Sequence, residues 1–345
     1  MSDKYSQTGE DMQSKMSILA KNVRMRIAYL GAGHIASKMA ATVQKLPGVE
    51  SCAVGSRDIR RSEEFAARWG VRKAYGSYED LVRDPEVDLV YVATPNSHHF
   101  DHSLMAIRAG KPVLCEKAFT MNAREAEALV REARSRGVFL CEAVWTRFMP
   151  LSHKIKELLD SGVIGRPRQM SASLCYAMES KERILRPELG GGSLLDLGVY
   201  CLNFARMYFG PEIVGTDSSC ILGESGTDMY ESMTLRWADG KVACLQSSAL
   251  SRCNREGLIT GDEGYIVVDN INCPQAVRVY KGYQLVEEHF PPASQISGYE
   301  YELLACKDAL ERGLLESEGM PHSESVAIMK QMDALRREWG VKFPE

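Results

Sequence analysis

The segment GAGHIA, Gly31 to Ala36, is the first stretch whose residue types point to chemistry. It follows an apolar run and opens a helix-period segment, the setting in which G-x-G-x-x-G/A binds the pyrophosphate of a dinucleotide. Gly31 permits a tight turn, Gly33 lets the backbone approach phosphate, and Ala36 allows close packing of helix on strand. His34 and Ile35 open the helix, whose free N–H groups carry partial positive charge. The next apolar run ends in VGSRD. An enzyme of the NAD type usually places an acid directly at that strand end, whereas Ser56 and Arg57 come first here and suit a 2′-phosphate; NADP is therefore favoured over NAD. The competing reading makes Arg57 a solvated loop residue and Asp58 a helix cap.

Three further segments carry groups able to move a proton. ATPNSHHFDH offers Thr94 and Asn96 in a turn that can lie along a cofactor, with His98, His99 and His102 behind it as caps, packing groups or, with no carboxylate or Cys spacing in support, metal ligands. VLCEKAFT, residues 113–120, ends an apolar run in Glu116 and Lys117. Strands often surface in charge. A lysine partly desolvated beside a cationic nicotinamide ring would instead have its pKa lowered, and could exchange a proton with a hydroxyl, with Glu116 orienting it or bonding the cofactor. LGGGSLLDLGVYCLNF, residues 189–204, sets Asp196 and Tyr200 at an i, i+4 spacing on one helical face. A carboxylate and a phenol there can hold sugar hydroxyls and relay a proton, or can be a local pairing beside a core tyrosine.

These groups need a frame that brings strand ends together. From Met25 the chain alternates apolar runs with helix-period segments: RIAYL, SCAVGS, DLVYVA, KPVLCE and VFLCEAV, separated by stretches such as SEEFAARWG and NAREAEALVREARSRG. That alternation predicts a parallel sheet covered by helices, with ligands beyond the carboxyl ends of its strands. After about Pro150 the texture changes to strand-like runs with turn signals, including a hairpin at Asp239 and Gly240, and predicts an antiparallel sheet open on one face. Two helix-like segments close the chain.

The totals exclude several classes. With 345 residues, 45% apolar and 26% charged, the chain suits two domains with sizeable cores. A formal net charge of −4 and no Lys/Arg run give no field for nucleic acid, and no apolar window of about 18 residues suggests a membrane span. Ten scattered cysteines without a CxxC pair suit a reducing cytosol. Residues 1–24 lack an apolar core and read as a loosely docked extension rather than a signal peptide.

GAGHIA, SRD, TPNSHH, CEK and GGGSLLDLGVYCLN, in this order and spacing, resemble the Gfo/Idh/MocA family of NAD(P)-dependent oxidoreductases over essentially Met25 to Glu345. EAVWTRFMP and the tyrosine of DLGVY resemble the branch holding glucose–fructose oxidoreductase and the dimeric dihydrodiol dehydrogenases. The resemblance implies a Rossmann domain over 25–145 and an α/β domain over 146–345 with a large, mostly antiparallel sheet, its final helices packing back on the first. It also implies a homodimer or homotetramer formed through that sheet. Lys117 would be the essential lysine, Asp196 would position substrate and Tyr200 would stand at the acid/base position. Asn96 and His99 would lie beside the cofactor, and Trp145, Arg147 and Phe148 would line the nicotinamide end. Ala118 stands where the family has proline, which removes a fixed φ after the lysine and predicts a less rigid placement.

The expected activity is NADP-dependent hydride transfer at a secondary alcohol or carbonyl of a sugar, polyol or trans-dihydrodiol, in the cytoplasm. Two rivals come from other classes. A cofactor-recycling glycoside hydrolase would release an aglycone without net reduction of cofactor. A non-catalytic dinucleotide sensor would bind a partner stoichiometrically and turn over no alcohol.

Overall fold

The computed structural model describes residues 24–344, so the expected extension lies, but for Arg24, outside the described residues. The first sheet contains β1 (Met25–Leu30), β2 (Val49–Gly55), β3 (Lys73–Tyr75), β4 (Leu89–Val92), β5 (Val113–Glu116) and β6 (Leu140–Ala143). All are parallel, in the order β3-β2-β1-β4-β5-β6. Its connections carry α1 (His34–Val43), α2 (Ile59–Trp69), α3 (Tyr78–Arg83), α4 (His99–Arg108) and α5 (Ala123–Arg136). Helical cover explains the composition of the strands: every residue of β4, β5 and β6 is buried, and a strand buried on both faces reads as an unbroken apolar run.

Local chemistry sets the helix ends. Asn122 caps α5 by accepting the Glu125 N–H at 2.9 Å, Glu125 reaches back to the Met121 N–H at 3.0 Å, and Gly137 ends the helix at φ +64°. The strand order reverses between β1 and β4, and the crevice above that reversal is where the loops after β1, β4 and β5 meet. Gly31 shapes it. At φ +108° a Cβ would sit 2.9 Å from the Ala93 carbonyl oxygen, so the turn after β1 closes against the end of β4 only with glycine. Gly31→Ala is expected to destabilise the fold by more than about 1 kcal/mol, which thermal denaturation would read as a lowered Tm.

The second half adds α6 (Pro150–Asp160), β7 (Pro167–Cys175), the single turn α7 (Glu182–Leu185) and α8 (Val199–Phe209). The strands β8 (Ile213–Leu222), β9 (Asp228–Trp237), β10 (Val242–Ser248), β11 (Gly257–Gly261), β12 (Gly264–Val268), β13 (Val277–Lys281) and β14 (Gln284–His289) follow. Two helices, α9 (Glu300–Glu311) and α10 (His322–Trp339), close the chain. The eight-stranded sheet runs β14-β13-β12-β11-β7-β10-β9-β8, with β7 and β10 parallel and every other neighbouring pair antiparallel. The hairpin at Asp239 and Gly240 joins β9 to β10 as the turn chemistry predicts.

Along β9 the side chains of Met229, Glu231, Met233, Leu235 and Trp237 alternate inward, toward α8, most of whose residues are buried. α8 is tied to α10 by a bidentate pair, Arg206 Nε and Nη2 on the two Glu324 oxygens at 2.6 and 2.9 Å. From there α10 reaches the first sheet's layer, where His322 Nε2 meets the Leu140 carbonyl at 2.8 Å and Asp333 accepts the Ala123 N–H at 2.8 Å. One helix thus holds the two sheets in register with each other. No helix among the described residues is long and apolar enough to cross a membrane.

Candidate active site

The cofactor turn is built from backbone. Gly33 is the N-cap of α1 and brings no side chain, and no acid occupies the helix's first turn. The opening N–H groups, those of His34 and Ile35 among them, are left for a ligand, with the helix dipole favouring an anion. At the end of β2, Ser56 Oγ donates to the Asp58 carbonyl at 2.6 Å and accepts the Asp58 N–H at 3.2 Å, which folds the loop back on itself. The Asp58 carboxylate caps α2 through the Arg60 N–H at 3.0 Å and pairs with the Arg60 guanidinium, which holds it below its usual carboxylate range. Asp58 is therefore committed as a cap. Arg57 is exposed and has no hydrogen-bond or ion-pair partner among the described residues.

After β4, Thr94 Oγ1 lies 2.9 Å from His102 Nδ1, and Asn96 Nδ2 donates to the Gly190 carbonyl at 3.3 Å. That bond joins the first half's loop to the glycine-rich segment of the second. His99 is 1% exposed, its Nδ1 2.8 Å from the Ala118 carbonyl and its Nε2 2.9 Å from that of Thr94. Only an imidazolium would donate to both carbonyls, yet burial pushes the ring down to about 4. The neutral ring, donating to one carbonyl, is the state that dominates near neutral pH. No His, Cys, Asp and Glu cluster among the described residues could hold a metal, so His98, His99 and His102 form no such site.

Lys117 leaves the end of β5 with its backbone held on both sides. Its N–H donates to Glu116 Oε2 at 3.2 Å, His99 faces the next carbonyl, and the Phe119 N–H reaches Glu142 Oε1 at 3.1 Å. The Lys117–Ala118 peptide is cis, and Ala118 is fully buried. These bonds restrain the backbone that the missing proline ring leaves free. Glu116 is buried, accepts the Tyr91 hydroxyl, and has its carboxyl pushed up, chiefly by burial.

The Lys117 ammonium then crosses to the second half. It donates to the Asp196 carbonyl at 2.8 Å and to Oδ1 at 3.0 Å, and lies 5.1 Å from the centre of the Tyr200 ring. Arg183 Nη1 donates to the other Asp196 oxygen at 2.7 Å. Burial alone would raise the Asp196 carboxyl, but Lys117 and Arg183 together outweigh it and hold the group ionised, below its usual range. Tyr200 OH accepts the Trp145 Nε1–H at 3.0 Å, which leaves the phenol's own proton free to donate elsewhere. Burial, then the neighbouring Tyr299 and Glu116, push that phenol well above its ordinary pKa, so it stays protonated. Trp145 stacks on Tyr299 with ring centres 4.2 Å apart. A cation, a carboxylate and a neutral phenol thus converge at the end of a parallel strand, an arrangement able to hold vicinal hydroxyls and pass a proton to an alkoxide.

Asp196 reaches this position through a π-helical turn, Leu194–Gly198, ahead of α8, where the sequence suggests an ordinary helix face. Two buried acids of β9 lie against it. The fully buried Asp228 carboxylate takes the Leu194 N–H, and the fully buried Glu231 accepts the Ser247 hydroxyl beneath Gly198. Burial pushes both carboxyls up.

Arg147 is held by partners of its own. Its guanidinium donates to the Gly319 carbonyl at 2.9 Å and to Asn203 Oδ1 at 2.8 Å, and faces Glu324 at 3.6 Å. Phe148 packs where a Cβ on Gly319 would touch its ring. The groups that sequence reasoning missed are Arg183, Tyr299, Tyr91, Asp228 and Glu231. Only Glu231 leaves a signal, as an acid on the apolar phase of an alternating strand.

The family model for an oxidoreductase family with an NAD-binding Rossmann fold, GFO_IDH_MocA, matches residues 25–143. The model for the GFO/IDH/MocA C-terminal domain matches 152–267. The chain is 34% identical over 335 residues to a trans-1,2-dihydrobenzene-1,2-diol dehydrogenase of Danio rerio, covering 93% of this chain and 98% of that one. The Homo sapiens protein of the same name is 33% identical over 333 residues, with coverage of 93% and 98%. A solved 3-ketoreductase from Actinomadura kijaniata, in complex with NADP and TDP-benzene, superposes with a TM-score of 0.83 at 25% identity over 91% of this chain and 97% of that one. An aldose-aldose oxidoreductase from Caulobacter crescentus shares the fold, with a TM-score of 0.84 at 23% identity and coverage of 92% and 98%.

Proposed function

The chain belongs to the Gfo/Idh/MocA family of oxidoreductases, and from that premise we propose that it is an NADP-dependent enzyme interconverting a secondary alcohol and the carbonyl of a sugar, polyol or trans-dihydrodiol. One observation carries the reading: Lys117 at the end of β5 meets Asp196 and Tyr200 of the other half, across from the dinucleotide turn. The two halves, 25–145 and 146–345, are read as cofactor and substrate domains.

The residues present fit a dinucleotide. The close approach that Gly31 allows and the uncapped start of α1 suit a pyrophosphate held by Gly31, Gly33 and the N–H groups of His34 and Ile35. Ser56 and the unpartnered Arg57 would take a 2′-phosphate, since Asp58 is engaged by Arg60 and poorly placed for a ribose diol. Thr94, Asn96, His99, Glu116, Lys117 and Trp145 would border the nicotinamide; Arg147 would support that wall from behind. The dinucleotide, when bound, supplies the hydride acceptor or donor at nicotinamide C4.

Tyr200 would give its proton to the substrate oxygen as a carbonyl is reduced, or receive it as an alcohol is oxidised. Lys117, within 5.1 Å of that ring, would stabilise the oxygen's developing charge and the phenolate. Asp196 would accept a hydrogen bond from the neighbouring hydroxyl while keeping Lys117 in place. Arg57→Ala is expected to weaken NADP binding about tenfold or more and NAD binding little, because a charge-assisted bond is worth about 1.5–3 kcal/mol. Fluorescence titration with each dinucleotide would measure both.

The reading is tested by incubating the protein with NADP and a trans-dihydrodiol or aldose and following the reduced cofactor. Stoichiometric ketone or lactone and reduced cofactor support it. Aglycone release from a glycoside with no net reduced cofactor would move the protein to the hydrolase class. The described cysteines are all free, which supports a cytoplasmic setting. Exposed Val214, Ile221, Leu285 and Val286 on the edge strands of the open sheet support a homodimer or homotetramer formed through it.

A further inference from the structure

Of the described arginines, those without a carboxylate partner are solvent-exposed, with a single exception: Arg255, which is half-buried in the segment between β10 and β11. It is also the one non-glycine residue among those described with positive φ, at +61°. That conformation costs a residue bearing a Cβ roughly 1–2 kcal/mol, and here both flanks of the backbone hold it. The Arg255 N–H reaches Cys253 Sγ at 3.2 Å, and its carbonyl accepts the Ile271 N–H at 2.9 Å. A side chain aimed by a backbone outlier invites a functional reading.

The guanidinium is held by an aromatic residue of the second half. Nη1 donates to Tyr176 OH at 3.1 Å, and the guanidinium carbon lies 5.6 Å from the centre of the Tyr176 ring. Tyr176 directly follows β7, where its N–H pairs with the Ser248 carbonyl at 3.0 Å, and it begins the segment that carries Arg183 to Asp196. It also lies within electrostatic reach of Tyr299, the ring stacked on Trp145. Tyr200, Trp145 and Tyr299 form one run of contacts, and Tyr176 with Arg255 forms a second within electrostatic reach of it. A phenol occupies only one of the five guanidinium donors and neutralises no charge.

We propose that Arg255 recognises an acidic group on the substrate, a carboxylate or a phosphate set apart from the reacting carbinol, with the Tyr176 ring fixing the guanidinium plane. The inference rests on the oxidoreductase reading and narrows its substrate class to anionic polyols. Arg183 is spoken for by Asp196, and Lys117 serves the reacting oxygen, which leaves Arg255 as the cation near these rings without an anion. Its planar fork suits bidentate contact with either acid.

D-glucose, D-glucuronate and D-glucose 6-phosphate present one hexose with a neutral, carboxylate or phosphate group at one end, so they isolate the charge. Calorimetric titration of the NADPH-loaded protein with each, together with steady-state oxidation of each by NADP, tests the proposal. At least one anion should bind about tenfold or more tightly than glucose, and the preference should fall with added salt. Which anion is preferred identifies the acid. Arg255→Gln should erase the preference, with the loss appearing in KM rather than kcat, and Arg255→Lys should restore part of it. Equal binding of all three sugars, binding by none, or an Arg255→Gln protein that keeps the preference would overturn the inference. Turnover of any hydroxyl substrate in that case leaves the oxidoreductase reading standing. Selective anion binding that depends on Arg255, without reduction of cofactor by any of the sugars or by a trans-dihydrodiol, would instead overturn the oxidoreductase reading.

Discussion

Lys117→Ala is expected to lower turnover by about two orders of magnitude or more while the affinity for NADP is little changed, and Tyr200→Phe is expected to do the same. The two side chains are proposed to act at the reacting end of the cleft, whereas the pyrophosphate and adenosine contacts proposed for Gly31, Gly33, Ser56 and Arg57 lie on other elements. Tyr200→Phe removes only the hydroxyl. The ring keeps its place against the Lys117 ammonium, and Trp145 Nε1 loses its acceptor, so any structural cost is that of one buried hydrogen bond, about 1–3 kcal/mol. Lys117→Ala leaves Asp196 with Arg183 as its remaining cation, which keeps the fold but not the group proposed to stabilise the oxygen. Steady-state kinetics beside a cofactor titration separates the two effects. Unchanged turnover in both variants would remove the pair from the chemistry.

Asp196→Asn should be costly in a second way. The carboxylate is mostly buried and neutralises two cations, one of them, Arg183, half-exposed and therefore partly screened. Losing the charge should destabilise the protein by about 3 kcal/mol and reduce turnover by about tenfold to a hundredfold, since Lys117 loses its anchor. The pH dependence identifies the cause. In the folded protein the Asp196 carboxyl is held below its ordinary value, so its stabilisation is complete above the unfolded value of about 4 and is lost as pH falls through the lower folded value. The gap in Tm between wild type and Asp196→Asn should therefore be full above about pH 5 and shrink in stronger acid. A gap of equal size at low and neutral pH would assign the loss to packing rather than charge.

Much of the fold was legible because its determinants are local. GAGHIA, the unbroken apolar strands and the hairpin at Asp239 each carry their own backbone chemistry, and Lys117 is marked by the strand it terminates. The Lys117, Asp196 and Tyr200 constellation needed the family resemblance, because its members lie 79 and 83 residues apart in a chain with no local signal joining them. What stayed hidden depends on which distant groups happen to meet. Nothing in AMESKERILRPE marks Arg183 as the partner of Asp196, because the single turn α7 that carries it is too short to show a periodicity. The π-helical turn at Leu194–Gly198 is met at its first N–H by Asp228, a carboxylate 34 residues further on. Nothing local to Arg147 marks Asn203, Gly319 and Glu324 as the groups that surround it. Ala118 makes the same point in reverse: the sequence shows a lost proline, while the structure supplies His99 and Glu142 at the neighbouring backbone.

The most direct test follows the hydrogen itself. The protein would be given NADP and a trans-dihydrodiol or aldose deuterated at the carbinol carbon, and the reduced cofactor recovered and analysed for deuterium at nicotinamide C4. One deuterium per ketone or lactone formed, at a rate lowered by about two orders of magnitude or more in the Tyr200→Phe and Lys117→Ala proteins, is the expected result. Product formed with no deuterium in the cofactor, or label transfer at an unchanged rate in both variants, would contradict hydride chemistry at this site.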